Sequence, residues 1–236
     1  MKIALLLAGQ ARQIDKLPYH NRSVLRFISQ YKPDVYCSFW DSLEARSALQ
    51  LFEPKSYILS TEAEFQLDKQ DWWDRWSKLV SGKTDIQHRR KRYWDEIPTL
   101  KSRENTIRHW SRLTSGVHLL RPLYDVVVTS RTDIFLRHDP IIGAVEPMKL
   151  YAANRSEWSM IDLLFWGTNE TICKLLNWER MIKAMAHAEL NGKYGRRPMA
   201  LARDSRWLGP ENTLMLVMQY LGIEYVKQPF RTEIIR

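Results

Sequence analysis

The chain has 236 residues, of which 44% are hydrophobic, and its formal net charge is +9 with a sequence pI of about 9.6. This length fits one α/β domain or one domain with a helical insert, and the apolar fraction suffices for a buried core. The apolar N-terminal run ends at Gln10, too early to span a membrane, and is expected to form a core strand rather than a signal peptide. The positive charge favours an anionic partner: nucleic acid, an anionic membrane surface or a phosphorylated small molecule.

The two cysteines, Cys37 and Cys173, are far apart in the sequence and lie in apolar surroundings. Buried free thiols are therefore expected rather than a disulfide, which favours a reducing cytoplasm as the location.

The first sixty residues alternate between strand and helix patterns. Three apolar strands are predicted around helices that end at Pro33 and Pro54, and such a β-α-β-α-β order indicates parallel pairing. We therefore expect an α/β fold with a mostly parallel central sheet, helices on both faces and a single domain over residues 1–236. The predicted strands are Ile3–Leu7, Asp34–Asp41 and Ser56–Ser60, and the predicted helices are Asn21–Tyr31 and Ser42–Leu51.

The turn after the first strand contains Ala8, Gly9, Gln10 and Arg12. Small residues there allow close approach of a ligand at the edge where open α/β sheets bind nucleotides, although neither a GxGxxG motif nor a P-loop is present. Arg12 is a candidate phosphate contact or a surface charge at a helix start. Trp40, at the end of the second strand, could stack on a base or pack in the core.

Residues 61–100 form a segment rich in tryptophan and basic residues, predicted to be a helical insert. Cations attract phosphate and aromatic faces stack on bases, so this segment is a candidate nucleic-acid surface. The alternative is that its tryptophans pack on the sheet. Residues 180–207 are basic again and are predicted to be a loop. The candidate nucleic-acid contacts are Trp73, Arg89, Arg90, Arg92, Arg196 and Arg197.

A strong helix pattern over Ser102–Leu120 places Asn105, Arg108 and Arg112 on one face. That face either flanks a ligand or is solvated.

The segment Tyr124–Leu136 reads YDVVVTSRTDIFL, a buried strand that ends in a polar cluster. Arg131 offers a fork of donors suited to phosphate, and Asp133 is a hard oxygen ligand suited to Mg²⁺ or Mn²⁺. The alternative is that the two side chains form an ion pair that closes the strand.

Two later carboxylates are candidate functional groups. Asp162 stands just before an apolar strand, where a charge is either paired or functional. Glu211 follows Pro210 at the start of a helix, where the alternative role is stabilisation of the helix dipole.

Five segments occur in the same order as in small bacterial and phage glycosyltransferase-like proteins, and the chain resembles that GT-A-fold group. They read LLLAGQAR, DVYCSFWD, YDVVVTSRTDIFL, MIDLLFWGTNETI and GPENTLMLVMQYLGIEYV. The resemblance implies that the Ala8 turn faces a nucleotide sugar. It also implies that Arg131 and Asp133 stand where an Asp-x-Asp metal and diphosphate motif lies, with Arg131 in place of the first Asp. Arg131 could then neutralise the diphosphate itself, with or without a divalent cation on Asp133. Asp162 and Glu211 become acceptor-side carboxylates.

The resulting hypothesis is a nucleotide-sugar glycosyltransferase. Its predicted nucleotide-sugar contacts are Ala8, Gly9, Gln10, Arg12, Trp40, Asn105, Arg108 and Arg131, its catalytic residues are Asp162, Glu211 and Arg131, and its metal ligand is Asp133. The favoured acceptor is DNA that carries a hydroxymethylated base, because of the net charge and the basic insert. Two alternatives are a lipopolysaccharide or capsule transferase at an anionic membrane and a non-catalytic nucleic-acid-binding module.

Overall fold

The computed structural model describes residues 1–11, 22–79, 81, 101–120, 123–136, 141–156, 159–190, 210–228 and 232–234. A seven-stranded sheet has the order β3-β2-β1-β4-β7-β6-β8, and β5 and β9 form a separate antiparallel pair. The strands are β1 Ile3–Gly9, β2 Asp34–Trp40, β3 Ser56–Ser60, β4 Val126–Ser130, β5 Ile134–Leu136, β6 Lys149–Ser156, β7 Ser159–Gly167, β8 Glu224–Gln228 and β9 Thr232–Ile234. The helices are α1 Arg22–Tyr31, α2 Leu43–Phe52, α3 Glu62–Leu79, α4 Lys101–Val117, α5 Asn169–Leu175, α6 Trp178–Leu190 and α7 Pro210–Leu221.

The predicted α/β class and the mostly parallel sheet are confirmed. Strands β1 to β4 pair in parallel, and β6 and β8 do so as well. Among the strands of the described residues, β7 runs opposite to both of its neighbours. The sheet is therefore mixed, with one reversed strand beside β4.

Alternation along β1 separates two cores on the two faces of the sheet. Leu6 packs into the cluster that contains the tryptophans of α3 and α4, whereas Leu5 and Leu7 pack into the cluster that contains α1 and α2. Every residue of β1 is buried, as expected for a strand covered by helices on both faces.

Helix α4 lies unusually close to the sheet because of Gly116. A Cβ at Gly116 would lie 2.6 Å from Leu6 Cδ1 and 3.0 Å from Ser38 Cβ. The missing side chain lets α4 pack directly on β1 and β2, so the residues one and two turns before Gly116 are held firmly against the sheet.

The first part of the predicted insert belongs to the core. On α3, Trp72 and Trp76 are buried and stack with ring centroids 5.9 Å apart. The alternative role foreseen for these tryptophans, packing on the sheet, is the one observed.

The predicted loop over residues 180–207 begins as helix, because α6 continues to Leu190. Its residues Met181, Ile182 and Met185 are buried in the core, which explains why this stretch is helical despite its charge. The remainder of the predicted loop, 191–207, lies outside the described residues.

Both cysteines are free, as predicted, with Cys37 buried and Cys173 partly buried. Burial raises the pKa of the Cys37 thiol far above its usual range, so this thiol is unreactive. None of the helices in the described ranges combines the length and apolar character that crossing a bilayer requires.

Candidate ligand site at the carboxyl edge of the sheet

The strand order defines a crevice between β1 and β4. The chain builds β1, β2 and β3 outwards on one side, then returns to place β4 on the other side of β1. Open α/β sheets bind ligands at such a switch point, outside the carboxyl ends of the strands. Leu7 on β1 pairs with Ser130 on β4. Gly9 and Arg131 follow this pair by two residues and one residue, so both lie at the carboxyl edge of the sheet.

Gly9 ends β1 with a φ of +112°, a conformation that only glycine adopts without strain. A Cβ at this position would lie 3.6 Å from His109 Nδ1 of α4. Ala8 is buried and Gln10 is exposed, whereas Arg12 lies outside the described residues. Gly9 itself is buried, so Gln10 is the exposed residue of the described part of this turn, and the predicted contact of the turn with a ligand stays a prediction.

Arg131 and Asp133 form a two-point ion pair immediately after β4. Arg131 Nε donates to Asp133 Oδ1 at 2.8 Å and Nη2 donates to Oδ2 at 2.5 Å. The Arg131 side chain remains 21% exposed, whereas that of Asp133 is 2% exposed. The ion-pair alternative foreseen from the sequence is therefore present, and it leaves one side of the arginine open to solvent.

A metal on Asp133 does not fit this arrangement, because both carboxylate oxygens face the guanidinium of Arg131 and the side chain is only 2% exposed, which leaves no open side for an ion. Across the described ranges, no group of three or more His, Cys, Asp or Glu side chains is placed to hold a metal ion.

His109 is a site residue that the sequence reasoning missed. It faces Gly9, and it lies close enough to Arg131 and Asp133 to feel both charges. The pKa of His109 is lowered to about 3, with burial as the largest cause; the positive charge of Arg131 acts in the same direction, and Asp133 partly opposes the shift. The imidazole is consequently neutral at physiological pH. The sequence could have indicated His109 as a candidate, because it follows Arg108 directly and lies on the polar side of α4.

A second polar group lies at the ends of β2 and β3, around Arg112. Arg112 Nη2 donates to Ser111 Oγ at 2.9 Å and lies 3.4 Å from Asp68 Oδ2, and Nη1 donates to Ser60 Oγ. Burial lowers the pKa of Arg112, and attraction to Asp68 opposes that shift. This buried arginine closes the junction between α3, α4 and β3.

The predicted nucleotide contacts Trp40 and Arg108 are adjacent. The Arg108 guanidinium lies 5.4 Å from the centroid of the Trp40 ring and 3.7 Å from that of Phe65, and it pairs with Glu62 at 2.7 Å. Trp40 is partly buried and meets Phe65 edge-on. Helix α4 thus contributes Arg108 towards the end of β2 and His109 towards the end of β1.

The register of β7 brings Asp162 to the same edge. Leu164 pairs with Ser130 in antiparallel orientation, so Asp162, two residues earlier in β7, lies beyond the carboxyl end of β4. Glu211 is in the first turn of α7, which leads into β8; because β8 is parallel to β6, the start of α7 points towards this edge. For Asp162, Glu211 and Asn105 the structure describes the backbone, and their predicted roles stay predictions.

The predicted nucleic-acid contacts are not assembled by the described residues. Trp73 is partly buried and packs against the core, with its ring centroid 5.4 Å from that of Trp76. Helix α3 carries more acidic than basic side chains, so this half of the insert is not a basic surface. The other predicted contacts lie outside the described residues: Arg89, Arg90, Arg92, Arg196 and Arg197.

No protein-family model matches the chain, and no curated protein sequence matches it. Among solved structures, the chain is similar to the apo form of mouse xyloside xylosyltransferase 1, with a TM-score of 0.48 and 9% sequence identity over 96% of this chain and 84% of that one. The strand order and register of the sheet define the fold.

Proposed function

We propose that the protein is a glycosyltransferase that uses a nucleotide-diphospho-sugar as donor. The observation that carries the proposal is the placement of Arg131, a partly exposed guanidinium, at the β1/β4 switch point, at the same edge of the sheet as the turn after β1. A diphosphate is the ligand that a partly exposed guanidinium at this position suits best.

The proposed reaction transfers the sugar from diphosphate oxygen to an acceptor hydroxyl. The bond between the anomeric carbon and the diphosphate oxygen breaks, the acceptor oxygen bonds to the anomeric carbon, and the leaving diphosphate takes the electron pair. Arg131 stabilises the negative charge that develops on the diphosphate. Asp162, or Glu211 as the second candidate, accepts the hydroxyl proton.

The nucleotide end of the donor is assigned to the ends of β1 and β2. Trp40 provides an aromatic face, Arg108 provides a cation next to it, and Gln10 is exposed at the turn. Asn105 and Arg12 complete the proposed set of contacts.

For the acceptor we favour DNA that carries hydroxymethylated bases, in the cytoplasm of a phage-infected bacterium. The net charge of +9 supports an anionic acceptor. Substitution of Arg89, Arg90 and Arg92 together by Gln should weaken binding to duplex DNA and flatten its salt dependence. An unchanged salt dependence, or binding to anionic liposomes in place of DNA, would redirect the acceptor assignment to a glycolipid.

The experiment that tests the donor proposal is a thermal-shift screen against a panel of nucleotide sugars, followed by assay of nucleoside diphosphate release. We expect at least one nucleotide sugar to raise the Tm and to be hydrolysed slowly without acceptor. Asp162→Asn should keep the Tm shift and lose the release of diphosphate. If no nucleotide sugar shifts the Tm, the proposal is wrong.

A further inference from the structure

We propose that Arg131, held in place by Asp133, supplies the positive charge at the donor diphosphate, so that donor binding does not require a divalent cation. The inference rests on the proposed function, and it assigns Asp133 as a positioning residue for Arg131 rather than as a metal ligand.

The first support is the geometry of the carboxylate. A Mg²⁺ or Mn²⁺ ion binds through carboxylate oxygen at close range and tolerates little competition from another cation for the same oxygens. Both oxygens of Asp133 point at Arg131, and the residue is almost completely buried. A metal ion would have to reach this buried carboxylate and lie beside the positive charge of Arg131.

The second support is the donor capacity that Arg131 retains. A guanidinium has about five N–H donors. The pair uses one N–H on Nε and one on Nη2, which leaves the N–H groups on Nη1 and the second one on Nη2. Since the side chain keeps 21% exposure, these remaining donors can reach a phosphate while the ion pair stays intact.

The third support is the orientation of Arg131. Two hydrogen bonds to the buried carboxylate of Asp133 fix the guanidinium at the end of β4 before a ligand arrives. A diphosphate arriving at this edge therefore shares an arginine that is already oriented, which lowers the cost of ordering a long side chain on binding.

The experiment is calorimetric titration of the full chain with UDP, GDP, ADP and dTDP, each in EDTA and in Mn²⁺. For the diphosphate that binds best, we expect a Kd in EDTA within about threefold of the Kd in Mn²⁺, a difference of less than roughly 0.7 kcal/mol. Binding that is present in Mn²⁺ and absent in EDTA would overturn this inference and leave the glycosyltransferase proposal standing. Absence of binding in both buffers would overturn both.

Variants separate positioning from metal ligation. Asp133→Asn removes one negative charge and the two-point pair, and we expect it to weaken diphosphate binding about tenfold in EDTA and in Mn²⁺ alike. The double variant Arg131→Ala/Asp133→Ala should bind no more weakly than Arg131→Ala, because Asp133 acts through Arg131. The assignment would be contradicted if Asp133→Asn weakened binding in Mn²⁺ but not in EDTA. It would also be contradicted if the double variant bound more weakly than Arg131→Ala.

A matched control is Glu179→Gln, which breaks the exposed ion pair with Lys183 on α6 and should leave binding unchanged. If Asp133→Asn fails to fold, Arg131→Lys provides the same test: lysine keeps the charge and loses the two-point geometry, so binding should weaken equally in both buffers. Unchanged binding by Arg131→Lys would contradict the inference.

Discussion

The guanidinium of Arg112 lies 4.2 Å from the centroid of the Trp40 ring, and Arg112 is 2% exposed. A buried arginine next to an aromatic ring is stabilised by attraction to the ring face, but it still needs oxygen partners for its N–H groups. Its carboxylate partner, Asp68, lies at the longer distance of 3.4 Å and is partly exposed. The cluster thus joins α3, α4 and the end of β2 through one incompletely neutralised charge.

Asp68→Ala should therefore destabilise the fold by about 1–2 kcal/mol, because it removes the carboxylate that pairs with Arg112 and leaves the hydroxyls of Ser60 and Ser111 and the electrostatic attraction of Glu64. Urea unfolding followed by circular dichroism measures the change. The control is Asp74→Ala on the same helix, an exposed residue that accepts a hydrogen bond from Gln70, with an expected effect below about 0.5 kcal/mol. Equal effects of the two substitutions would show that Arg112 does not depend on Asp68.

Gly9→Ala should reduce both stability and diphosphate binding. The φ of +112° disfavours any side chain, with a cost of about 1–3 kcal/mol, whereas the nearest neighbour of the new Cβ, His109 Nδ1 at 3.6 Å, is at ordinary contact distance. Thermal unfolding and calorimetry provide the two measurements. Gly143→Ala is the control, because a Cβ there meets nothing within 4 Å and Gly143 has no positive φ. A Gly9→Ala variant with unchanged diphosphate affinity would remove the β1 turn from the site.

Tyr124→Phe should destabilise the opposite edge of the sheet. The Tyr124 hydroxyl donates to Asp34 Oδ2 at 2.7 Å and lies 2.5 Å from the Tyr36 hydroxyl, so its removal leaves two groups short of a partner. The expected loss is about 1–2 kcal/mol in the free energy of unfolding. Tyr57→Phe, at a residue that is 54% exposed on the edge strand β3, should change stability by less than about 0.5 kcal/mol. A comparable loss at both positions would argue against a cooperative tyrosine–aspartate network.

The same network should make stability depend on pH in the acid range. The hydrogen bond from Lys55 is the largest cause of the lowered pKa of Asp34, and the bond from Tyr124 acts in the same direction. A carboxylate whose pKa is lowered in the folded state stabilises the fold fully when the pH is above its pKa in the unfolded state, about 3.9. This stabilisation is lost as the pH falls through the pKa of the folded state. Between about pH 6 and pH 2, the wild type should lose more stability than Asp34→Asn. Parallel curves for the two proteins would contradict the role of Asp34.

Much of the fold follows from local sequence patterns. The β3 strand Ser56–Ser60 has the predicted bounds, and the start of α7 lies at Pro210, where a fixed φ and a missing N–H suit a first helical turn. The antiparallel orientation of β6 and β7 could also have been predicted from the sequence. Only two residues separate Ser156 from Ser159, and parallel strands need a much longer crossover connection.

Tertiary packing decided the features that local patterns missed. Trp72 and Trp76 look like stacking platforms in a charged sequence, yet their burial depends on how α3 docks against α4 and α6. His109 became a candidate through the close approach of α4 to β1, which depends on Gly116 more than one helical turn away. Whether Arg131 pairs with Asp133 depends on the geometry of the two side chains. The two-residue spacing in the sequence does not determine that geometry.

The proposed function depends on Arg131, at the end of β4, stabilising the departing diphosphate. The most direct measurement is the rate of nucleoside diphosphate release from the nucleotide sugar selected in the thermal-shift screen, for the wild type and for Arg131→Ala at saturating donor. We predict a rate at least about a hundredfold lower for Arg131→Ala, with an unchanged circular dichroism spectrum. A variant that releases diphosphate at nearly the wild-type rate would contradict the claim.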